Sequence, residues 1–304
     1  MLRITIVIPA CPKSFFITSK MRALDKLRKA KELLERHGID NAIREAELII
    51  SYCMNLGRVA IYRDNPEVPK EMNSNIDKLL KRRIRREPLQ YILGYTGFYG
   101  LKIMVGPGVL IPRPETELLV EEAIQIISKS EIQNSNFEFL DLCTGSGCVA
   151  LALARKFPDA RVYGTDISDR AIAYAARNAE INGITNVIFK QGSLFEPVRD
   201  LQFDLIASNP PYIKRNYLEK LEPEVRDWEP VEALDGGEDG LDYHRVIIPE
   251  AKNYLKDGGV LIIELGENQS DAVAKLAEES GFLEINLIKD YAGIERILRA
   301  KVNF

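Results

Sequence analysis

The chain has 304 residues, 46% hydrophobic and 28% charged, with a formal net charge of -4. That is enough apolar material for one large domain and a smaller one, and the acidic balance argues against a free-standing nucleic-acid binder, which needs a basic face. No run of eighteen apolar residues occurs, so no segment reads as a membrane span. The four cysteines, at 11, 53, 143 and 148, form no CxxC pair, and only two histidines are present. A zinc site or a disulfide framework is therefore not expected, and the cysteines suit a reducing, cytoplasmic setting.

In chain order, Arg3 and the apolar run Ile4 to Ile8 imitate a secretory leader, but Pro9, Pro12 and Lys13 break it too early. Residues 1–20 read as a dispensable extension. Leu24, Leu27, Ala30, Leu33 and Leu34 then recur at helical spacing up to Gly38. Asp40 is placed to cap a second helix carrying Ile43, Ala46, Ile50 and Met54 and ending near Gly57. Met72, Ile76, Leu79, Leu80 and Ile84 mark a last helix, closed by Pro88. Residues 21–88 are thus expected to form a small helical domain. Its end carries Lys-Arg-Arg-Ile-Arg-Arg-Glu at 81–87. This run reads either as a patch for RNA or an acidic partner, or as a solvated helix face partly offset by Glu87 and Asp77; the second reading is the preferred one.

Residues 89–113 change character. Aromatic and β-branched residues alternate with glycines at 94, 97, 100, 106 and 108, which predicts a β-hairpin linker. From Pro114 to 304 the pattern alternates. A helix with Leu118, Leu119, Ala123 and Ile127 precedes a strand at 137–142, a helix at 147–156, a strand at 160–165 and a helix at 168–182. Strands at 187–191 and 203–208 follow, then a helix near 242–256, a strand at 260–265, a helix at 270–280 and a hairpin over 282–289 and 293–302. Such alternation predicts a parallel sheet with helices on both faces, and the hairpin adds an antiparallel edge.

Two stretches carry chemistry. In "FLDLCTGSGCVALALA" (139–154) a strand runs into Gly145-Ser146-Gly147 and a helix follows at once. Glycines there allow a tight turn and close approach of a nucleotide to the backbone. Asp166 ends the next strand, where a carboxylate can accept both ribose hydroxyls. Its plainer reading is a charge at a helix N-terminus; ribose binding is favoured because both signals fall in register. Gly145, Gly147 and Ala150 also fit a dinucleotide pattern, so an NAD enzyme stays open. Asp141, near the end of the first strand, suits the positive end of S-adenosylmethionine (SAM) better than a pyrophosphate.

The second stretch is Asn209-Pro210-Pro211-Tyr212, which ends the strand 203–208 on the same side of the sheet. Its bland reading is a strand-terminating turn. Its chemical reading concerns a planar nitrogen whose lone pair is tied up by conjugation. Holding both N–H hydrogens of that nitrogen, on the Asn209 side-chain carbonyl and the Pro210 backbone carbonyl, aims the lone pair at a methyl group. Pro211 stiffens the corner, and Tyr212 can lie against the planar group. Catalysis then rests on orientation and fixed dipoles, not on a general base.

With these motifs assembled, the chain resembles the HemK/PrmC family of SAM-dependent protein-(glutamine-N5) methyltransferases. The blocks that carry the resemblance are "EPLQYILGYTGFYG" (87–100), "VLIPRPETELLVE" (109–121), "LDLCTGSGCVALALA" (140–154), "SNPPYI" (208–213) and "EPVEALDGGEDGLDYHRVII" (229–248). The resemblance implies a helical partner-docking domain, a hairpin linker and a class I methyltransferase domain with a Rossmann-like sheet. It implies that the acceptor is the glutamine of a Gly-Gly-Gln loop in class 1 peptide chain release factors. It further implies that Cys143, Thr144, Gly145, Ser146 and Gly147 border SAM, that Asp166 binds its ribose, that Leu194 flanks the adenine, and that Asn209 to Tyr212 hold the glutamine amide. Ser193 departs from the family, which usually has an acid there, and Leu265 in "ELG" replaces a more usual isoleucine. In "IPRPETE" (111–117), Arg113 and Glu115 could line the mouth of the crevice, or the segment could simply start a helix at Pro114.

Three alternatives remain at this stage: a glutamine methyltransferase acting on a ribosomal protein, an adenine-N6 or guanine-N2 methyltransferase acting on nucleic acid, and a nucleotide-binding or dehydrogenase module. The acidic charge and the lack of a long insert weigh against a direct nucleic-acid substrate, and the last alternative leaves the proline corner unexplained.

Overall fold

A computed structural model of the protein describes residues 20–129 and 137–303, so the expectation for residues 1–20 falls almost wholly outside the described residues. The chain divides into two compact units, with the boundary after Arg85.

The first unit is helical: α1 (Ala23–Arg36), α2 (Ala42–Met54), α3 (Arg58–Asp64) and α4 (Lys70–Arg83). Leu27, Ala30 and Leu34 of α1 bury against Ala46, Ile49 and Ile50 of α2 and Ile76 and Leu80 of α4, as helical periodicity requires. The expected stripe was partly misplaced. Leu24 and Ile43 are exposed, and Ala42 and Ile49 take the buried positions. Asn41, not Asp40, precedes α2, and it makes no side-chain cap. α3 was not foreseen, because seven residues give too few turns to show a period.

The basic run is partly solvated, with Lys81 and Arg85 exposed, and partly used internally. Arg83 is buried and bonds both oxygens of Glu45, at 2.5 and 3.1 Å. Asp77, expected to offset this run, instead pairs with Lys26 at 2.5 Å.

The second unit opens with α5 (Leu89–Leu93) and a hairpin, β1 (Tyr95–Phe98) and β2 (Leu101–Met104). The hairpin expected within 89–113 is therefore confined to 95–104, and the first residues of that stretch are helical. Arg86 pairs with Glu224 at 2.8 Å within this unit. The sheet and its helices follow: α6 (Thr116–Lys129), β3 (Glu138–Leu142), α7 (Cys148–Lys156), β4 (Arg161–Asp166), α8 (Asp169–Asn182), β5 (Val187–Gln191), β6 (Phe203–Ser208), α9 (Pro223–Arg226), α10 (Asp242–Tyr254), β7 (Leu255–Glu264), α11 (Ser270–Glu279), β8 (Leu283–Lys289) and β9 (Glu295–Lys301).

The strands order as β5-β4-β3-β6-β7-β9-β8. The first five run parallel, and β9 enters antiparallel between β7 and β8. The terminal hairpin thus adds the antiparallel edge the sequence predicts. This is a Rossmann-like α/β fold of the class I methyltransferase kind. The period-2 pattern splits the strand residues between two cores. Phe139, Leu205, Ala207 and Ile262 face α6, α7 and the hairpin. Leu140, Leu142, Ile206 and Ile263 face α10 and α11.

The hairpin is not a free linker. Asn178 of α8 accepts from the Met104 amide at 2.7 Å and donates to its carbonyl at 3.1 Å. Asn182 does the same for Lys102, at 3.2 and 2.9 Å. Two side-chain amides thus satisfy the open edge of β2 as a neighbouring strand would.

Candidate active site

β3, β4 and β6 are adjacent and parallel, so the turns that leave them open on one side of the sheet. Between them lies a cleft of about 550 Å³. Of the residues singled out in the sequence, Asp141, Cys143, Thr144, Gly145, Ser146, Asp166, Ser193, Leu194, Asn209, Pro211 and Arg113 all line it. Gly147, Pro210, Tyr212 and Glu115 do not.

The turn after β3 is held by carboxylates. Asp141 is buried, and one of its oxygens accepts from Thr144 Oγ1 at 2.6 Å and from the Ala150 amide at 3.0 Å. Burial pushes its carboxyl up to about 7, against the pull of those two donors. Asp166 accepts from the Gly145 amide at 2.9 Å and from the Ser168 amide at 2.9 Å. Burial raises its carboxyl too, and backbone donors oppose the rise. Gly147 adopts a left-handed conformation at the start of α7, and a Cβ there would sit 2.9 Å from Ala175. It is a packing glycine rather than a wall of the cleft. Gly164 of β4 lies behind the loop, where a Cβ would approach Phe189 to 2.6 Å and Thr144 Oγ1 to 2.8 Å. Burial raises the thiols of Cys143 and Cys148, so neither is a ready nucleophile.

The corner after β6 is held differently. Asn209 donates from Nδ2 to Thr116 Oγ1 at 3.0 Å. Tyr212 turns its phenol away from the cleft and donates to Glu264 Oε1 at 3.1 Å. This contact anchors the phenol end of the ring behind the corner. Behind it, Gln269 donates to the Tyr212 carbonyl at 3.0 Å and to the Gly240 carbonyl at 3.2 Å. A third element closes the site: Glu229 accepts from the Ile111 amide at 3.0 Å and from Arg113 at 2.6 Å. This clamp joins the "VLIPRPETELLVE" and "EPVEALDGGEDGLDYHRVII" blocks, which no sequence pattern connects.

Sequence reasoning missed Thr116, Arg170, Ile167 and Tyr243, which also line the cleft. Ile167 is 65% exposed, and its position directly after Asp166 was the available signal. Thr116 and Tyr243 sit inside blocks that were noticed, but nothing in the sequence says which residue of a block turns inward.

Known proteins bear on this arrangement. A methyltransferase domain family matches residues 133–297, and the PrmC N-terminal domain family matches residues 25–94. The release factor glutamine methyltransferase of Thermodesulfovibrio yellowstonii is 45% identical over 91% of this chain and 97% of its own. The chain belongs to the release factor glutamine methyltransferase family. The Geobacter sulfurreducens member of that family is also 45% identical, over 88% of this chain and 93% of its own. Among solved structures, the catalytic domain of hMettl16 aligns with a TM-score of 0.53 and 16% identity, covering 66% of this chain and 76% of that one. That likeness concerns the fold alone.

Proposed function

We propose that the protein transfers the methyl group of SAM to the side-chain amide nitrogen of the glutamine in the Gly-Gly-Gln motif of class 1 peptide chain release factors. The observation that carries the reading is the state of Asn209. Its amide nitrogen is taken by Thr116, which leaves Oδ1 as the acceptor presented to the cleft. Only an acceptor there suits a substrate nitrogen that must give up hydrogen-bonding protons and turn its lone pair outward.

The cleft fits the cofactor. Gly145 and Ser146 offer a loop of small residues, Asp166 has a carboxylate at the rim, and Val149, Ile167, Ala171 and Leu194 provide apolar surface for an adenine. When bound, SAM supplies an electrophilic methyl carried on a sulfonium. Asp166 holds the ribose hydroxyls, the segment Cys143 to Ser146 borders the cofactor, and Asp141 stabilises that turn from within. Asn209 Oδ1 and the Pro210 carbonyl hold the two hydrogens of the acceptor amide, and Pro211 keeps that corner from turning. Tyr212 acts through its bond to Glu264. No side chain needs to remove a proton before transfer, since alignment alone can lower the barrier by about 7–11 kcal/mol. Residues 21–88 serve as the docking domain for the protein substrate.

The test is methyl transfer from labelled SAM to four acceptors: purified release factor, a release factor lacking the Gly-Gly-Gln glutamine, ribosomal protein and DNA. Label on the intact release factor alone is expected. Label on ribosomal protein or DNA in its place overturns the reading.

A further inference from the structure

The proposed function leaves Gln269 without a role. We propose that Gln269 is a positioning residue that sets the acceptor corner at Asn209 and Pro210 by holding the backbone just beyond it. The inference rests on the methyl-transfer reading above.

The two prolines make the corner stiff but do not anchor it. Each ring fixes its own φ and narrows ψ of the residue before it, so residues 209 to 211 move as one piece. Such a piece hinges where it leaves the sheet unless its far end is also held. The near end is fixed, because Ser208 pairs with Leu142 of β3 and with Ile263 of β7. At the far end, the peptide group between Tyr212 and Ile213 is bonded on both sides. Its carbonyl accepts from Gln269 Nε2 at 3.0 Å, and its amide donates to the Leu234 carbonyl at 3.0 Å.

Gln269 joins that peptide to two further elements. It directly precedes α11 and is 4% exposed. Nε2 also donates to the Gly240 carbonyl at 3.2 Å, and Oε1 accepts from the Gly266 amide at 2.7 Å, just past the end of β7. Both ends of the amide are thus engaged, and its direction is fixed. Reversed, it would set NH₂ against the Gly266 N–H and its oxygen against two carbonyls. The loop that contains Gly240 presses on Tyr212: a Cβ at Gly236 would stand 2.7 Å from Tyr212 Cα, and one at Gly240 would collide with the Tyr212 carbonyl. One buried glutamine therefore braces the corner, this loop and the sheet end together. The Tyr212–Glu264 bond acts on the tip of a rotatable side chain, whereas Gln269 acts on the backbone itself.

Releasing the Tyr212 carbonyl lets the stiff corner swing about its hinge. Asn209 Oδ1 and the Pro210 carbonyl then leave the hydrogens of the acceptor amide together. The side-chain bonds of Gln269 go to the corner, the loop and the sheet end, and none goes to the turn after β3. Methyl transfer should therefore suffer while SAM binding does not.

The experiment uses the full chain with SAM and release factor, comparing Gln269→Glu, Gln269→Met and Gly266→Ala with the wild type. Calorimetry reads SAM affinity, saturation kinetics well below the melting temperature separate kcat from KM, and circular dichroism checks the fold. Gln269→Glu keeps the shape and the acceptor for Gly266, but a carboxyl carries at most one proton and cannot make both donor bonds. Gln269→Met removes both donors without adding a charge. Each is expected to lose at least about tenfold in kcat, since a misplacement of about 1 Å at a reacting centre can cost about 10²-fold, with SAM affinity held within about threefold. A wild-type kcat in either variant, with only the melting temperature lowered, would make Gln269 a packing residue and overturns the inference. A loss of SAM affinity as large as the loss of kcat overturns it too. Gly266→Ala is an independent arm: the glutamine stays, but the new Cβ would stand 2.9 Å from its Oε1 and push it aside. It should lower kcat with SAM affinity intact, and a wild-type kcat there overturns the inference even if neither Gln269 variant folds. A wild-type enzyme that labels no release factor would instead defeat the methyl-transfer reading itself.

Discussion

The turn after β3 and the turn after β6 end neighbouring strands of one sheet, yet they are held by opposite means. The first is a run of small residues whose backbone amides are captured by carboxylates: Gly145 by Asp166 and Ala150 by Asp141. The second has two prolines with no amides to capture, and it is held from behind by side chains of Thr116, Glu264 and Gln269. A cofactor site must let a ligand approach the backbone closely, so it removes side chains and orders the peptide. An acceptor site must present carbonyl oxygens without competing N–H groups, so it removes the donors and orders the side chains.

The sharpest way to break this division is Asn209→Ala. It should lower kcat by about 10²–10³-fold, the usual cost of losing a fixed polar group at a reacting centre, with SAM affinity within a few-fold by calorimetry. Equal loss of both would place Asn209 with the cofactor turn. Next in size is Gly164→Ala. The added methyl would press on Phe189 and Thr144, costing about 1–3 kcal/mol in denaturant unfolding and weakening SAM binding through the loop. Unchanged stability would mean that the loop is held less tightly than its contacts imply. Asp166→Ala should weaken SAM by roughly 1.5–3 kcal/mol, the worth of hydrogen bonds to a charged group, with kcat at saturating SAM much less affected.

The smallest effect concerns pH. Asp141 keeps its proton in the folded state up to about pH 7, whereas in the unfolded chain it loses it near pH 4. The stability it contributes is full below about pH 4 and is lost as pH rises through about 7. Asp141→Asn cannot ionise, so its melting temperature should gain on the wild type between about pH 5 and pH 8. A difference that is flat across that range would show that Asp141 is already ionised in the fold.

The alternation of strands and helices from Pro114 onward was legible because it is written into local periods of 2 and 3.6 residues. Most of those elements lie within a residue or two of where the pattern put them. The exceptions are instructive. α5 was read as strand because Leu89–Leu93 holds apolar and aromatic residues that suit either state. β7 begins at Leu255, before the expected 260, because Leu255 pairs with Phe203 of β6 and the register then shifts. The basic run at 81–87 could not be judged from charge alone. Arg83 is neutralised by Glu45, 38 positions away, and Arg86 by Glu224.

For this protein the sequence by itself determined the class of sheet, the place of the cofactor turn and the proline corner that ends β6. Those features are set by neighbours in the chain, through backbone conformation and hydrophobic period. The tertiary structure decided the direction in which the corner's groups point. It turned Tyr212 away from the cleft toward Glu264, and it brought Thr116 to Asn209 across 93 positions. Hydrogen-bond polarity depends on which donors and acceptors meet in space, and no local pattern records that.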